Sequence, residues 1–146
     1  MSSVASVVGD ANVLLSAIAG RAARRVMVEF GVTVHVARFN SLEVLEYLPH
    51  FAGRYGLPEE LLRLEWTLLP VEVHAGRMYA PELRVARRLL AARDPADAHP
   101  LALARSLGLP LWSNDRDLTD LGERAGLPIL TTARLLARLE GSAATR

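Results

Sequence analysis

The sequence predicts an α/β fold built on a largely parallel sheet. Short apolar runs typical of buried strands alternate along the chain with helical stretches, which is the order that a parallel sheet requires. Glycines follow three of the helical stretches, at Gly56, Gly108 and Gly126, where helices commonly end. A chain of 146 residues is long enough to bury one core, and we expect a single domain over residues 1–140.

The predicted elements follow one another in a regular order. Apolar runs bounded by turn residues predict strands at residues 4–9, 33–37, 71–75, 109–112 and 127–130. Helices are predicted at residues 11–19, 21–30, 42–53, 58–68, 81–92, 94–107, 117–125 and 132–139. Gly20 separates the first two helices, and Pro58 and Pro95 suit the first turn of theirs. Residues 141–146 are expected to form a flexible tail.

The composition excludes several kinds of chemistry. There is no cysteine, so disulfides, thiolate zinc sites and cysteine nucleophiles are excluded, and we expect a cytoplasmic protein. All 17 basic residues are arginine, which excludes Schiff-base lysines and a P-loop lysine. The net charge of +1 gives no global basic field, so any attraction for phosphate has to be local.

No membrane segment is predicted. The apolar runs are short and interrupted by charged residues, so we expect no transmembrane helix. The first apolar run ends at Asp10 and has no basic residue before it, which argues against a signal peptide.

Aspartates follow two of the predicted strands. Asp10 comes directly after the first strand and Asp115 shortly after the fourth, at the strand ends where open parallel sheets bind ligands. Asp10 alone is also a good N-cap for the helix that follows, and Asn12 adds a second polar group to the same turn. The spacing of Asp115 and Asp117 suits two carboxylates on one or two metal ions.

The sixth predicted helix begins with two further aspartates. Asp94 precedes Pro95 and is a ready N-cap, which leaves Asp97 in the first turn. The carboxylate of Asp97 either interacts with the helix dipole or binds a ligand. His99, on the same apolar helix, is expected to be structural.

Two glutamates of the third predicted helix, Glu43 and Glu46, are alternatives for one more acidic position. They lie one turn apart and share a face. Asn40 and Glu43 have the spacing of a capping box, which gives Glu43 a structural role. Glu46 has no such explanation and is preferred as the acidic residue of the site. The alternative is that both residues are solvated charges on the helix surface.

At these residues the chain resembles the PIN-domain family of metal-dependent ribonucleases, which includes the VapC-type toxins. The matching segments are, in order, residues 8–12, Glu46 on the helix after the second strand, residues 97–104 and residues 111–118. Each motif alone is weak, but their order and spacing cover nearly the whole chain.

The resemblance implies an α/β/α sandwich with a central parallel sheet and an acidic cluster that binds Mg²⁺ or Mn²⁺. The family's aspartates fall on Asp10, Asp97 and Asp115, its glutamate on Glu46 and a further acid on Asp117. Catalysis is expected from the first four of these residues, and metal binding from all five.

The residue types agree with such a site. Carboxylates without thiolates select Mg²⁺ or Mn²⁺ over zinc, and such ions promote the hydrolysis of phosphodiesters. Asn12 and Ser113 are expected to hold the carboxylates through hydrogen bonds. Ser113 stands where the family more often has threonine. His99 and Pro100 replace residues that are apolar in the family, which puts the first turn of their helix in question.

RNA is the substrate that the resemblance implies. Arginines near the acidic turns are candidates for binding its phosphates, although each alone is more readily an ordinary surface charge: Arg21, Arg24, Arg25 and Arg116. The implied protein partners are an antitoxin and a second copy in a homodimer, for which helices 81–92 and 132–139 are candidate surfaces. The alternative is a catalytically inactive PIN-fold protein that binds RNA or protein. An aspartyl-phosphate enzyme is disfavoured because the chain has no lysine.

Overall fold

A computed structural model describes residues 4–91 and 93–144 of the chain. A five-stranded sheet with the order β3-β2-β1-β4-β5 forms the centre, and every pairing between neighbouring strands is parallel. The strands are β1 Ser6–Gly9, β2 Thr33–Ala37, β3 Val71–His74, β4 Leu111–Trp112 and β5 Ile129–Leu130. The predicted α/β fold is confirmed, and each strand lies within its predicted range.

Helices connect the strands in the manner of a parallel sheet. They are α1 Ala11–Ile18, α2 Ala23–Val28, α3 Arg38–Tyr55, α4 Glu59–Leu68, α5 Ala80–Leu90, α6 Ala98–Leu107, α7 Arg116–Thr119 and α8 Thr132–Ala144. Gly56 and Gly108 end α3 and α6 in the left-handed conformation, as the sequence predicts. Across residues 4–91 and 93–144, no helix has the length and apolar character needed to cross a bilayer.

The helices cover both faces of the sheet. On one face Val7 and Val34 belong to a core shared with α1, α2, α3, α4 and α8. On the other face Val8 and Leu111 belong to a core shared with α5, α6 and α7. Val7 and Val8 are both fully buried in the central strand, which is why its sequence is continuously apolar. This arrangement is the α/β/α sandwich that the resemblance implied.

Two helices extend further than predicted. α3 begins at Arg38, directly after β2, and continues through Pro49 to Tyr55. α8 continues past Gly141 to Ala144, so the predicted end at residue 139 was wrong. Burial of Leu135 and Leu139 anchors α8 to the core, and such packing stabilises a helix beyond its intrinsic propensity. Of the predicted tail, residues 145–146 lie outside the described residues.

The strand order reverses direction at β1. The chain proceeds from β1 to β2 and β3 on one side, and β4 and β5 then lie on the other side. The point between β1 and β4 is therefore a topological switch point, where a crevice opens beyond the carboxyl ends of the strands. Asp10 directly follows β1 and residues 113–115 directly follow β4, so the topology places both at this crevice.

Candidate active site

An open cleft of about 280 Å³ lies at the carboxyl edge of the sheet, where β1 and β4 end. Several of its lining residues are acidic, and they come from separate parts of the chain: Asp10, Glu43, Asp94, Asp97 and Asp115. The fold therefore gathers in one place carboxylates that are far apart in sequence.

Asp10 is held rigidly, with 5% of its surface exposed. Its Oδ1 accepts a hydrogen bond from the N–H of Val13 at 3.0 Å, which makes Asp10 the N-cap of α1. Its Oδ2 accepts from the hydroxyl of Ser113 at 2.5 Å, and Ser113 Oγ in turn accepts from the N–H of Asp115 at 3.0 Å. Capping of α1 and a position in the cleft are compatible, because the cap uses Oδ1 while Ser113, directly after β4, holds Oδ2.

Burial makes two of the aspartates unusually weak acids. It raises the pKa of Asp10 to about 6, against the opposing hydrogen bonds from Ser113 and Val13, and the charge of Asp115 adds to the shift. Burial also raises the pKa of Asp97 to about 7, and the neighbouring acids, Asp115 first, add to that shift. The carboxylates are thus close enough to repel one another.

One oxygen of Asp97 is both buried and unpaired. Within the described part of the chain, Asp97 Oδ2 has no hydrogen-bond partner. Although Asp97 precedes α6, its side chain makes no capping hydrogen bond, while Asp94 accepts one from the N–H of Ala96 at 2.9 Å. A buried polar atom without a partner costs free energy, and a cation bound beside it removes that cost.

Asp115 and Asp117 lie beside Asp97. One carboxylate oxygen from each of the three residues lies within 4.8 Å of the others, a spacing that allows a shared metal ion. Asp115 caps α7 by accepting from the N–H of Asp117 at 2.8 Å. Arg93 forms an ion pair with Asp117, so this carboxylate already has a cationic neighbour.

The structure reverses the preference between the two glutamates. Glu43 lines the cleft, whereas Glu46 is exposed and lies outside its lining. The capping-box interpretation fails because α3 begins at Arg38, which leaves Asn40 inside the helix. Asn40 Nδ2 instead donates to Glu43 Oε1 at 2.7 Å and orients that carboxylate. Burial raises the pKa of Glu43 above its ordinary value, against this hydrogen bond.

Sequence reasoning missed a stripe of polar residues along α3. Asn40, Glu43, Tyr47, His50 and Arg54 all line the cleft. Their spacing of three or four residues places them on one helix face, and this periodicity is the signal that was available in the sequence. Asn40 is 2% exposed, and its Oδ1 is a second buried oxygen without a partner among the described residues.

Two of the predicted RNA-binding arginines are engaged elsewhere. Arg24 pairs with Glu65 at 2.5 Å. Arg25 pairs with Glu29 at 2.6 Å and with Glu140 at 2.9 Å. Their guanidinium groups tie α2 to α4 and α8, which gives them a structural explanation.

The other two predicted arginines also lie outside the cleft lining. The guanidinium carbon of Arg21 is 5.1 Å from the centre of the Tyr55 ring, and Arg116 is exposed on α7. Arg54, which was not predicted, lines the cleft and lies 5.6 Å from the same ring. Arg54 is therefore the arginine best placed to bind a phosphate in the cleft.

Asn12 lies at the cleft, whereas His99 lies outside its lining. Asn12 lines the cleft, and it is its backbone N–H that forms a hydrogen bond to Asp10. The His99 ring stacks on Phe39 with centroids 4.0 Å apart, and its Nδ1 lies 2.8 Å from the hydroxyl of Tyr79. His99 is structural, and α6 begins regularly at Ala98 despite the unusual residues of its first turn.

The metal-free protein is expected to lose stability as the pH rises. The pKa values of Asp10 and Asp97 are about 6 and about 7 in the fold, against 3.8 for the ordinary side chain, so the folded state binds protons that the unfolded state releases. The stabilisation contributed by these two groups is fully present below about pH 4 and is lost by about pH 7, with about 3 kcal/mol lost through Asp10 alone. Urea unfolding in EDTA at several pH values measures this trend. An Asp10→Asn variant with the same slope as the wild type would contradict it.

The donor set suits a hard divalent cation. The acidic residues at the cleft offer oxygen ligands, and the unpaired Oδ2 belongs to Asp97, whose pKa is raised by burial and then by the charges of Asp115, Asp94 and Asp10. Asp10, Asp97 and Asp115 could hold such an ion, with Asp117 beside them.

The fold and the cleft together define a class of protein, in which an α/β/α sandwich carries an acidic site at the switch point of a parallel sheet. A sequence model of the PIN domain matches residues 7–140 of the chain. The chain therefore belongs to the PIN-domain family, whose members are in general nucleases and hence hydrolases. No curated protein matches the chain.

Proposed function

We propose that this PIN domain hydrolyses phosphodiester bonds of RNA with Mg²⁺ or Mn²⁺ as cofactor. The observation that carries the proposal is the buried, unpaired Oδ2 of Asp97, close to the carboxylates of Asp10 and Asp115. Burial and mutual repulsion make this arrangement unfavourable without a cation, so a cation gives it a physical reason.

The aspartates are preorganised for cation binding. Asp10, Asp97 and Asp115 would hold the ion, and the hydrogen bonds from Ser113 and Val13 keep Asp10 in place without rearrangement. When bound, the cation supplies positive charge that neutralises the attacking and leaving oxygens of the phosphodiester.

The α3 stripe supplies the remaining groups. Asn40 holds Oε1 of Glu43, which leaves Oε2 to accept a proton from the attacking water. Arg54 lies on the same face of α3 and would bind a backbone phosphate through two parallel hydrogen bonds. We assign the catalytic roles to Asp10, Glu43, Asp97 and Asp115, with Glu43 in the place that the sequence suggested for Glu46.

Purified protein incubated with end-labelled RNA tests this function. We expect cleavage in millimolar Mn²⁺ or Mg²⁺, none in EDTA, and recovery when Mn²⁺ is restored. Asp10→Asn keeps an acceptor for the N–H of Val13 but removes the charge, so it is expected to be inactive. Asp120→Asn changes an exposed aspartate outside the cleft lining and is expected to cleave like the wild type.

Three outcomes would contradict this function. Cleavage in EDTA, or by Asp10→Asn at the wild-type rate, means that the activity does not come from this site. RNA binding without cleavage at any Mn²⁺ concentration supports the alternative of an inactive PIN-fold binding module.

We also propose a protein partner, either an antitoxin or a second copy of the chain, which would make the protein the toxin of a toxin–antitoxin pair or a homodimer. The two helices suggested by the sequence, α5 and α8, place Leu90 and Leu139 in the core. The exposed apolar residues of α3 and α4 support the proposal better: Leu42, Leu45, Leu61, Leu64 and Leu68. Light scattering of the purified chain tests for the homodimer.

A further inference from the structure

A second group of potential metal ligands lies on the sheet, outside the acidic cleft. His35 on β2 pairs in register with Glu72 on β3, and His74 follows Glu72 by two residues. Because alternate residues of a strand point to the same face and paired residues lie side by side, the three side chains share one face of the sheet. β3 is an edge strand, so this group lies at the margin of the sheet.

The ligand atoms of this group already converge. His35 Nδ1 lies 2.9 Å from His74 Nε2 and 3.2 Å from Glu72 Oε2, and one such atom from each of the three residues lies within 4.8 Å of the others. A tetrahedral zinc ion at about 2.0–2.1 Å from its ligands holds them about 3.3 Å apart. Small side-chain rotations therefore suffice to place all three atoms around one ion.

The protonation of the two imidazoles allows a metal ion to replace the hydrogen bond between them. One ring now donates its proton to the other across the 2.9 Å contact. A neutral histidine can carry its proton on either ring nitrogen, so moving that proton to the opposite nitrogen frees both lone pairs without charging either ring.

The burial pattern gives the group one protected side and one open side. The side chain of His35 is 14% exposed, while that of Glu72 is 61% exposed. His35 lies beside the buried Val8 of β1, which fixes its position from the interior. An ion would reach the group from solvent through Glu72 and His74, and three protein ligands would leave one tetrahedral position for water.

We propose that His35, Glu72 and His74 form a zinc site that joins the edge strand β3 to β2. Two imidazole nitrogens and one carboxylate oxygen form a donor set typical of zinc, unlike the three carboxylates of Asp10, Asp97 and Asp115 in the cleft. None of the three residues lines the cleft, so this site is independent of the proposed nuclease site.

Calorimetric titration of the chelator-stripped full chain with ZnCl₂ tests the proposal. The titration is done in millimolar Mg²⁺, which competes for the oxygen ligands of the cleft. We expect one tight equivalent of Zn²⁺, and a dissociation constant at least tenfold higher in His74→Gln and in Glu72→Gln. Co²⁺ in place of Zn²⁺ is expected to give the visible absorption of a tetrahedral nitrogen-containing site.

Two matched variants separate this site from others. Glu60→Gln changes an exposed glutamate on α4 and is expected to bind Zn²⁺ like the wild type. Asp97→Asn alters the cleft and is also expected to keep the tight equivalent. The proposal is overturned if Asp97→Asn removes that equivalent, or if Glu72→Gln and His74→Gln retain wild-type affinity. Because Glu72 is mostly exposed, its substitution tests the site without threatening the fold.

Discussion

Replacement of Asp97 by asparagine is expected to abolish RNA cleavage and yet stabilise the metal-free protein. Asparagine has nearly the same shape, and no cap is lost because the Asp97 side chain makes no capping hydrogen bond. Burial and neighbouring acids raise the pKa of Asp97 to about 7, so removing the charge relieves about 1–2 kcal/mol after solvent screening at the open cleft. Loss of one cation ligand should lower the cleavage rate by about 10²- to 10³-fold.

The opposite signs of these two effects make the prediction specific. Urea unfolding in EDTA at pH 8 measures the stability, and cleavage of labelled RNA in Mn²⁺ measures the activity. Millimolar Mn²⁺ should raise the melting temperature of the wild type more than that of Asp97→Asn, because a ligand that binds only the folded state stabilises it. Asp120→Asn should change neither quantity. A variant that is both inactive and less stable in EDTA would show that Asp97 serves the fold rather than the cation.

The aspartates of the cleft were predictable because their position follows from chain topology. A strand that ends in an acid delivers it to the carboxyl edge of a parallel sheet, and this applies to Asp10 and Asp115 whatever the details of packing. Asp97 was predictable for a different reason, since Asp94 was the better cap before Pro95. The structure agrees, because Asp94 accepts the capping hydrogen bond from the N–H of Ala96.

The parts that sequence reasoning missed depend on contacts between distant segments. The partners of Arg24 and Arg25, Glu65 and Glu140, lie on other helices, so their ion pairs follow only from tertiary packing. The group formed by His35 depends likewise on the register between β2 and β3, which a single sequence does not specify.

The preference for Glu46 over Glu43 rested on a helix start that differs from the observed start of α3. With a helix beginning near residue 42, the spacing of Asn40 and Glu43 looks like a capping box. With the helix beginning at Arg38, the same two residues lie within its first turns, where an i,i+3 pair bonds side chain to side chain. The earlier start of α3 thus removes the capping role of Glu43, and the cleft lining then favours Glu43 over Glu46.

A matched pair of substitutions tests this correction directly. Glu43→Gln is expected to lower Mn²⁺-dependent RNA cleavage by about 10²-fold, because it removes the carboxylate that Asn40 orients towards the cleft. Glu46→Gln makes the same chemical change one turn away on the exposed surface, and its cleavage rate is expected to stay within about twofold of the wild type. Both rates are measured with the same labelled RNA.

The pH profile of cleavage distinguishes the role of Glu43 from a general effect on folding. Burial raises the pKa of Glu43, so its carboxylate can accept a proton from water more readily than an ordinary surface glutamate. Loss of the acidic limb of the profile in Glu43→Gln, with the melting temperature preserved, is the expected result. An inactive Glu46→Gln beside an active Glu43→Gln would instead favour Glu46 as the catalytic glutamate. In that case α3 would have to rotate about its axis for Glu46 to reach the aspartates.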